Sequence, residues 1–144
     1  MVKFKTILIV LLTFLSLNLL SQSGSYSINS ETKQVTNFEA KYVFNSVSTY
    51  DNDLKEYLSK FPTQTTVVIK ISADGTGSLF TKQYGYEKHT YKITKCLKYD
   101  NYFVFYWTPV YNANNNRFIL FLENNRVSCL ESKGDKNNVS IIWR

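Results

Sequence analysis

The residues of this sequence that could do chemistry are few and widely spaced. The single histidine, His89, follows Glu87 and Lys88 at the edge of a turn. General-base catalysis would need a nucleophile and an orienting group close to it. Cys96 and Cys129 lack the short paired spacing of zinc ligands. These residues predict no catalytic site and no metal site.

Two further kinds of active site are disfavoured by sequence context. The glycines of Gly75-Thr76-Gly77 follow a turn and do not open a helix, whereas a phosphate-binding loop leads into a helix N-terminus. Most acidic residues lie at turns, caps or strand ends, while a glycosidase needs two carboxyl groups facing one cleft. We therefore expect a protein that is not an enzyme and uses no cofactor.

The N-terminus has the pattern of a secretory signal peptide. Lys3 and Lys5 precede an apolar run from Ile7 to Leu20, and the small residues Ser21 and Ser23 follow it. The run has about fourteen residues, fewer than the roughly twenty of a membrane-spanning helix. We expect cleavage after Ser21 or Ser23, no permanent membrane span in the mature protein, and export to the periplasm or the cell exterior.

The rest of the chain has the size of one domain. Residues 24–36 are polar and lack periodicity, which predicts a flexible leader after the signal peptide of residues 1–23. Residues 37–144 are predicted to form a single β-rich domain. Without Lys3 and Lys5 the formal net charge falls from +6 to +4. This modest excess is not typical of a nucleic-acid-binding domain, so we expect no nucleic acid partner.

Hydrophobic periodicity predicts one strand, one short helix and then seven strands. Apolar residues alternate from Phe38 to Phe44, the pattern of a half-buried strand. From Leu54 to Phe61 they follow the spacing of a helix face, and Pro62 closes that segment. Later strands are predicted at Val67 to Ile71, Ser78 to Gln83, His89 to Lys98, Tyr102 to Val110, Arg117 to Glu123, Arg126 to Glu131 and Val139 to Trp143.

The turn residues between these strands indicate antiparallel connections. Asp74-Gly75 is a strong hairpin signal, and Asn124-Asn125 separates two later strands. The predicted fold is therefore mainly β: an antiparallel meander of about eight strands, closed into a barrel or folded into a clam, with one short helix after the first strand.

In general layout, this order of strand, short helix and meander resembles the lipocalin-like and fatty-acid-binding-protein superfold. The likeness is architectural, since fatty-acid-binding proteins have two helices and lipocalins usually add a helix after the barrel. It implies a barrel with the helix at its mouth and an interior that can hold a small apolar ligand.

The aromatic strand Tyr102 to Val110 has two candidate registers with the strand before it. A two-residue turn at Asp100-Asn101 would place its large rings on one face with Lys98 and Cys96, which mixes charge with the core. A three-residue loop with Asn101 in a left-handed conformation avoids this arrangement, and we predict this second register. The rings would then share a face with Leu97, Lys95, Ile93 and Tyr91.

The two faces of this sheet predict two functions. The preferred hypothesis is an exported, non-enzymatic protein that binds a small apolar ligand inside an aromatic-lined barrel. Its predicted ligand-binding residues are Tyr91, Phe103, Phe105 and Trp107. The alternative is an interaction protein whose outer face binds an envelope protein or an anionic polysaccharide through tyrosine stacking and positive charge. The predicted surface-binding residues are Lys92, Lys98, Tyr102 and Tyr106.

The two cysteines leave two alternatives, one disulfide or two separate thiols. Exported proteins often form disulfides. In a regular meander, however, Cys96 and Cys129 lie three strands apart, about 14 Å at about 4.8 Å per strand, whereas a disulfide needs a Cα separation under about 7 Å. Turn spacing also places Cys129 on the core-like face and Cys96 on the other face. We predict two separate thiols.

Overall fold

A computed structural model describes residues 25–108, 116–133 and 139–144. In these ranges the regular elements are all strands, and no helix has the length and apolar character of a membrane span. The predicted signal peptide and the last two residues of the predicted strand Tyr102 to Val110 lie outside the described residues. The strands are β1 (Ser27–Ile28), β2 (Val35–Thr36), β3 (Phe38–Asp51), β4 (Glu56–Ile71), β5 (Gly77–Gln83), β6 (Lys88–Lys98), β7 (Tyr102–Trp107), β8 (Arg117–Glu123), β9 (Arg126–Lys133) and β10 (Val139–Trp143).

Strands β3 to β10 form a closed antiparallel barrel in which each strand pairs with its neighbour in sequence, and β10 returns to pair with β3. The mainly β prediction, the antiparallel meander of about eight strands and one of the two predicted arrangements, the barrel, are confirmed. Closure follows from the alternation of apolar residues, since one face of every strand can be buried in a common interior. Closure also leaves the sheet without an open edge.

The predicted helix is wrong, because its residues form a turn and the first half of β4. Asp51 accepts hydrogen bonds through Oδ1 from the backbone N–H groups of Asp53 and Leu54, and Lys55 has a positive φ of 56°. The side chains at helical spacing are exposed: Leu54 (65%), Tyr57 (50%), Leu58 (53%) and Phe61 (58%). A helix here would leave the second half of β3 without its β4 partner, whereas the hairpin satisfies the backbone of both strands.

Pro62 lies within β4, at an irregularity that tolerates a residue without an N–H group. It is opposite Ser46, next to a register shift between Phe44 and Ser46. The N–H groups of Asn45 and Ser46 donate to the carbonyl of Arg144 on the other side of β3. Proline is found in sheets at such bulges because they relieve the need for a regular ladder of hydrogen bonds.

One end of the barrel is closed by a hairpin of β1 and β2. Val35 is fully buried and belongs to the same apolar core as Phe38. The Tyr26 ring packs edge-on against Phe103, with centroids 5.2 Å apart. Residues 25–36, expected to be part of a flexible leader, instead pack on the barrel because the side chain of Val35 fills an apolar site.

The hairpin of β6 and β7 uses the register that the sequence analysis rejected. Lys98 is opposite Phe103 and Cys96 is opposite Phe105, around the turn at Asp100-Asn101. Asn101 is not among the described residues with positive φ. The preferred three-residue loop was therefore wrong.

A β-bulge explains how this register keeps most charge out of the core. The pairing shifts between Ile93 and Lys95, so that Thr94 is an extra residue on β6. Ile93 then lies opposite Trp107 on the interior face, while Lys95 is exposed. The prediction failed because it assumed a strand without a bulge, and one inserted residue reverses the face of every side chain before it.

Both cysteines are free, which confirms the prediction of two separate thiols. Their faces are the reverse of those expected. Cys96 is fully buried inside the barrel, whereas Cys129 is half-buried opposite Phe121 on the outer face. For Cys129 the cause is a register shift between Phe121 and Leu122, which inserts Ser128 into β9. For Cys96 the cause is the two-residue turn between β6 and β7, which places it opposite Phe105.

Candidate functional site

The open end of the barrel contains a cavity of about 410 Å³. It lies opposite the end that the β1–β2 hairpin closes, and its lining comes from β3, β4, β5, β6, β10 and the turn between β5 and β6. Small-molecule pockets have volumes of about 300–1,000 Å³. The cavity is therefore large enough for a small ligand.

The inner part of the cavity carries hydroxyl groups. Thr65 is 1% exposed and lies opposite the core residue Phe44. Thr81 is 6% exposed and lies opposite the core residue Val67. Tyr91 adds a phenol hydroxyl to the lining. Burial raises the pKa of Tyr91, so this hydroxyl stays neutral at physiological pH.

The described residues contain two buried side-chain polar groups without a hydrogen-bond partner, the Trp107 indole N–H and, in the cavity lining, the Thr65 hydroxyl. Its Oγ1 atom is buried within the described structure and unpaired. A buried polar group without a partner costs roughly 1–3 kcal/mol. A hydroxyl can both donate and accept. Thr65 can therefore bind a donor or an acceptor that enters the cavity.

An aromatic cluster forms one wall and separates the cavity from the core. The Phe118 ring lies 4.8 Å from Tyr91 and 6.3 Å from Trp143, measured between centroids. Tyr91 and Trp143 line the cavity, and Trp143 is paired with the lining residue Val47 across β10 and β3. Tyr91, Trp143 and Val47 therefore provide apolar surface in the same cavity as the threonine hydroxyl groups.

The mouth of the cavity exposes apolar side chains to solvent. Phe61 is 58% exposed, Tyr86 70% and Ile141 40%, and all three line the cavity. Glu87 and His89 also line it and are exposed. No lysine or arginine is among the described lining residues, and the described ranges contain no group of three potential metal ligands.

Of the four side chains that were expected to bind a ligand, two lie at or beside the cavity and two lie in the core. Tyr91 lines the cavity. Trp107 is half-buried beside it, with ring centroids 4.9 Å apart. Phe103 and Phe105 belong to the core at the closed end, where both rings pack against Phe38. Both phenylalanines are buried in the apolar core and are not part of the cavity lining.

Sequence reasoning missed Thr65, Thr81 and Trp143. A signal for the threonines was present, because each lies two residues from a buried apolar residue on the same face of its strand. Thr65 precedes the inward Val67 on β4, and Thr81 follows the inward Leu79 on β5. A hydroxyl at an inward barrel position marks either a hydrogen-bond network or a site open to a ligand.

The outer face of β6 and β7 is not the surface that was expected. Lys98 faces the closed end of the barrel, with Nζ 5.1 Å from the Phe103 ring centroid and hydrogen bonds to the carbonyls of Tyr99 and Asp100. Desolvation lowers the pKa of Lys98, although nearby Asp100 opposes this shift. The two-residue turn at Asp100-Asn101 therefore places Lys98 opposite Phe103, away from the face that carries Tyr106.

The other surface residues remain outside the barrel. Lys92 is exposed. Tyr102 stacks on Tyr99, with centroids 4.8 Å apart. Tyr106 lies opposite Lys95 on β6 and Arg117 on β8. The positive charges directly beside Tyr106 are therefore Lys95 and Arg117, which sequence reasoning did not select.

Comparison with protein-family models, with curated proteins and with solved structures finds no match to this chain.

Proposed function

We propose that this chain is a non-enzymatic binding protein that holds a small, partly apolar molecule in the open end of its barrel. The observation that carries the proposal is the contrast between the two ends. At the closed end, Val35 and Phe38 fill the interior. At the open end, the interior holds a cavity of about 410 Å³ with the unpaired hydroxyl of Thr65 in its lining.

Apolar contact provides the affinity in this proposal. Trp143 and Val47 offer apolar surface inside the cavity, and the exposed ring of Phe61 lies at its mouth. Covering such surface is favourable by about 25 cal/mol per Å² of apolar area removed from water. A ligand with a hydrocarbon part can therefore bind by completing the core at this end.

The proposed binding takes place outside the cytoplasm. The N-terminal pattern of Lys3, Lys5 and the apolar run Ile7 to Leu20 supports export. The proposed ligand is therefore one met in the periplasm or outside the cell. N-terminal sequencing of protein recovered from culture medium or periplasm tests this part, and a first residue of Met1 would contradict it.

Native mass spectrometry of protein purified from its own compartment tests the binding proposal. We expect an added mass that disappears on delipidation, with a lower melting temperature, because a ligand that binds only the folded state stabilises it. Val47→Trp would fill the cavity and abolish the added mass. Val43→Trp is the matched control, since Val43 is on the same strand and 49% exposed. Wild-type protein with no added mass and no thermal shift would refute the proposal.

A second candidate function rests on the position of Tyr106 between Lys95 and Arg117. An aromatic ring flanked by two cations suits an acidic polysaccharide. Binding to such a polymer should weaken with salt, because exposed charges are screened over about 8–10 Å at physiological ionic strength. Lys95→Glu should weaken it more than Lys82→Glu, which makes the same charge change at an exposed position on β5. Equal effects of the two variants would refute this candidate.

A further inference from the structure

The chemistry of the cavity restricts the ligand beyond its size. Thr65 is 1% exposed, and its hydroxyl has no hydrogen-bond partner. Among the described lining residues, Thr65 alone has a buried side-chain polar atom without a hydrogen-bond partner. A polar group of a bound molecule gains most at this position, because a buried polar group is stable only when it is paired.

The described lining provides no buried counter-ion for a charged group at Thr65. Lysine and arginine are absent from it, and its acid Glu87 and its histidine His89 are both solvent-exposed. A charge moved from water into such a site loses its hydration without a compensating partner. Carboxylate and ammonium groups are both disfavoured for this reason.

Four lysines adjoin lining residues along the chain, but their side chains are exposed and are not part of the lining: Lys60, Lys82, Lys88 and Lys92. Two further cations are held elsewhere. Lys98 lies at the closed end, where its amine binds the carbonyls of Tyr99 and Asp100. Arg144 follows the inward Trp143 and lies over the Tyr57 ring on the outside, with Cζ 5.8 Å from the ring centroid. Neither side chain can neutralise an acid inside the cavity without leaving these contacts.

We infer that the ligand is an uncharged amphipathic molecule, whose neutral hydrogen-bonding group, such as an alcohol or an amide, pairs with Thr65 while its hydrocarbon part packs on Trp143. This inference rests on the proposed function, and it adds the chemical class of the ligand. It distinguishes this cavity from one built for fatty acids, in which a buried cation would be needed to pair with the carboxylate.

A matched pair of probes tests the inference: 1-octanol and octanoate at pH 8, titrated into the full mature chain by calorimetry and tryptophan fluorescence. The two probes have the same carbon count and differ in the charge of the terminal group. We expect octanol to bind at least about tenfold more tightly, which corresponds to about 1.4 kcal/mol. Octanoate binding as tightly as octanol, or more tightly, would overturn the inference and leave the proposed function standing.

Thr65→Val tests the residue assignment, because it keeps the side-chain shape and removes the hydroxyl. We expect it to weaken octanol binding by roughly three- to tenfold. Thr66→Val is the matched control, since Thr66 is the next residue of β4 and points to the other face. Equal octanol affinity in Thr65→Val and Thr66→Val would overturn the inference. Binding of neither probe at millimolar concentration would overturn both the inference and the proposed function.

Discussion

Cys96 lies directly opposite Phe105 across the β6–β7 ladder, and both side chains are fully buried inside the barrel. Burial strongly raises the pKa of the Cys96 thiol. Cys129, on the outer face, is half-buried, and desolvation raises its pKa while Ser128 and Arg144 oppose that shift. The two thiols therefore differ in access although neither is bonded.

We predict that a thiol-specific reagent labels Cys129 in the native protein and leaves Cys96 unlabelled. Denatured, unreduced protein should show two free thiols, because both are free in the fold. Cys129→Ser is the informative variant, and its native form should label far more slowly than native wild type. Rapid labelling of native Cys129→Ser, or no free thiols after denaturation, would contradict the described placement.

Phe105→Ala should destabilise the protein by roughly 3–5 kcal/mol, since it removes a fully buried ring from the core. Tyr106→Ala, one residue further along and half-buried on the outer face, should cost only about 1 kcal/mol. Urea unfolding of both variants measures the difference. The opposite ranking would mean that the β7 register is one residue away from the one described.

Val35→Ala should lower the free energy of unfolding by roughly 2 kcal/mol, because Val35 is fully buried under the closed end. Ile28→Ala on the paired strand is the control, with Ile28 44% exposed, and should have little effect. Thermal and urea unfolding test this pair. Equal small effects would show that residues 25–36 are a loose leader after all.

Gly77→Ala should destabilise strongly, because a Cβ atom there would lie 1.8 Å from the backbone oxygen of Lys70. Two backbones would have to separate, so we expect a loss of at least about 3 kcal/mol. Gly85→Ala is the control, since a Cβ there meets no atom within 4 Å. Its positive φ of 79° should cost only about 1 kcal/mol. Similar losses in the two variants would contradict the close approach of β4 and β5.

Stability should fall at alkaline pH because burial raises the pKa of Tyr42 from 10.0 to about 12. Below about pH 10 both states keep the phenol proton, and between about pH 10 and 12 only the unfolded state loses it. The stabilisation is therefore complete below pH 10 and is lost as pH rises through 12, by up to about 3 kcal/mol. Tyr42→Phe should show a shallower decline in urea unfolding over this range. Tyr84→Phe is the control because Tyr84 is 81% exposed, and a wild-type profile in Tyr42→Phe would contradict the prediction.

Local sequence signals were sufficient for the strands and for several turns. Alternating residues such as Phe38 and Ala40 specify which face of β3 is buried, because successive side chains of a strand point to opposite sides. Asn124 and Asn125 form the expected turn with positive φ values of 50° and 61°, a conformation that asparagine tolerates better than most residues. These features depend on a few neighbouring residues, so the antiparallel meander could be predicted from the sequence.

The tertiary structure alone decided the long β3–β4 hairpin, the registers at the bulges and the position of the cavity. Residues Leu54 to Phe61 fit a helix by their spacing, but the β3 residues that they pair with also pair with β10, about ninety residues further along the chain. The turn at Asp100-Asn101 places Lys98 and Cys96 on the face of the core rings, and the bulge at Thr94 keeps Ile93 on that face. No local pattern indicates this bulge. That the Thr65 hydroxyl lacks a hydrogen-bond partner could not be predicted from the sequence. Hydrogen-bond pairing in a closed interior depends on every strand that faces it.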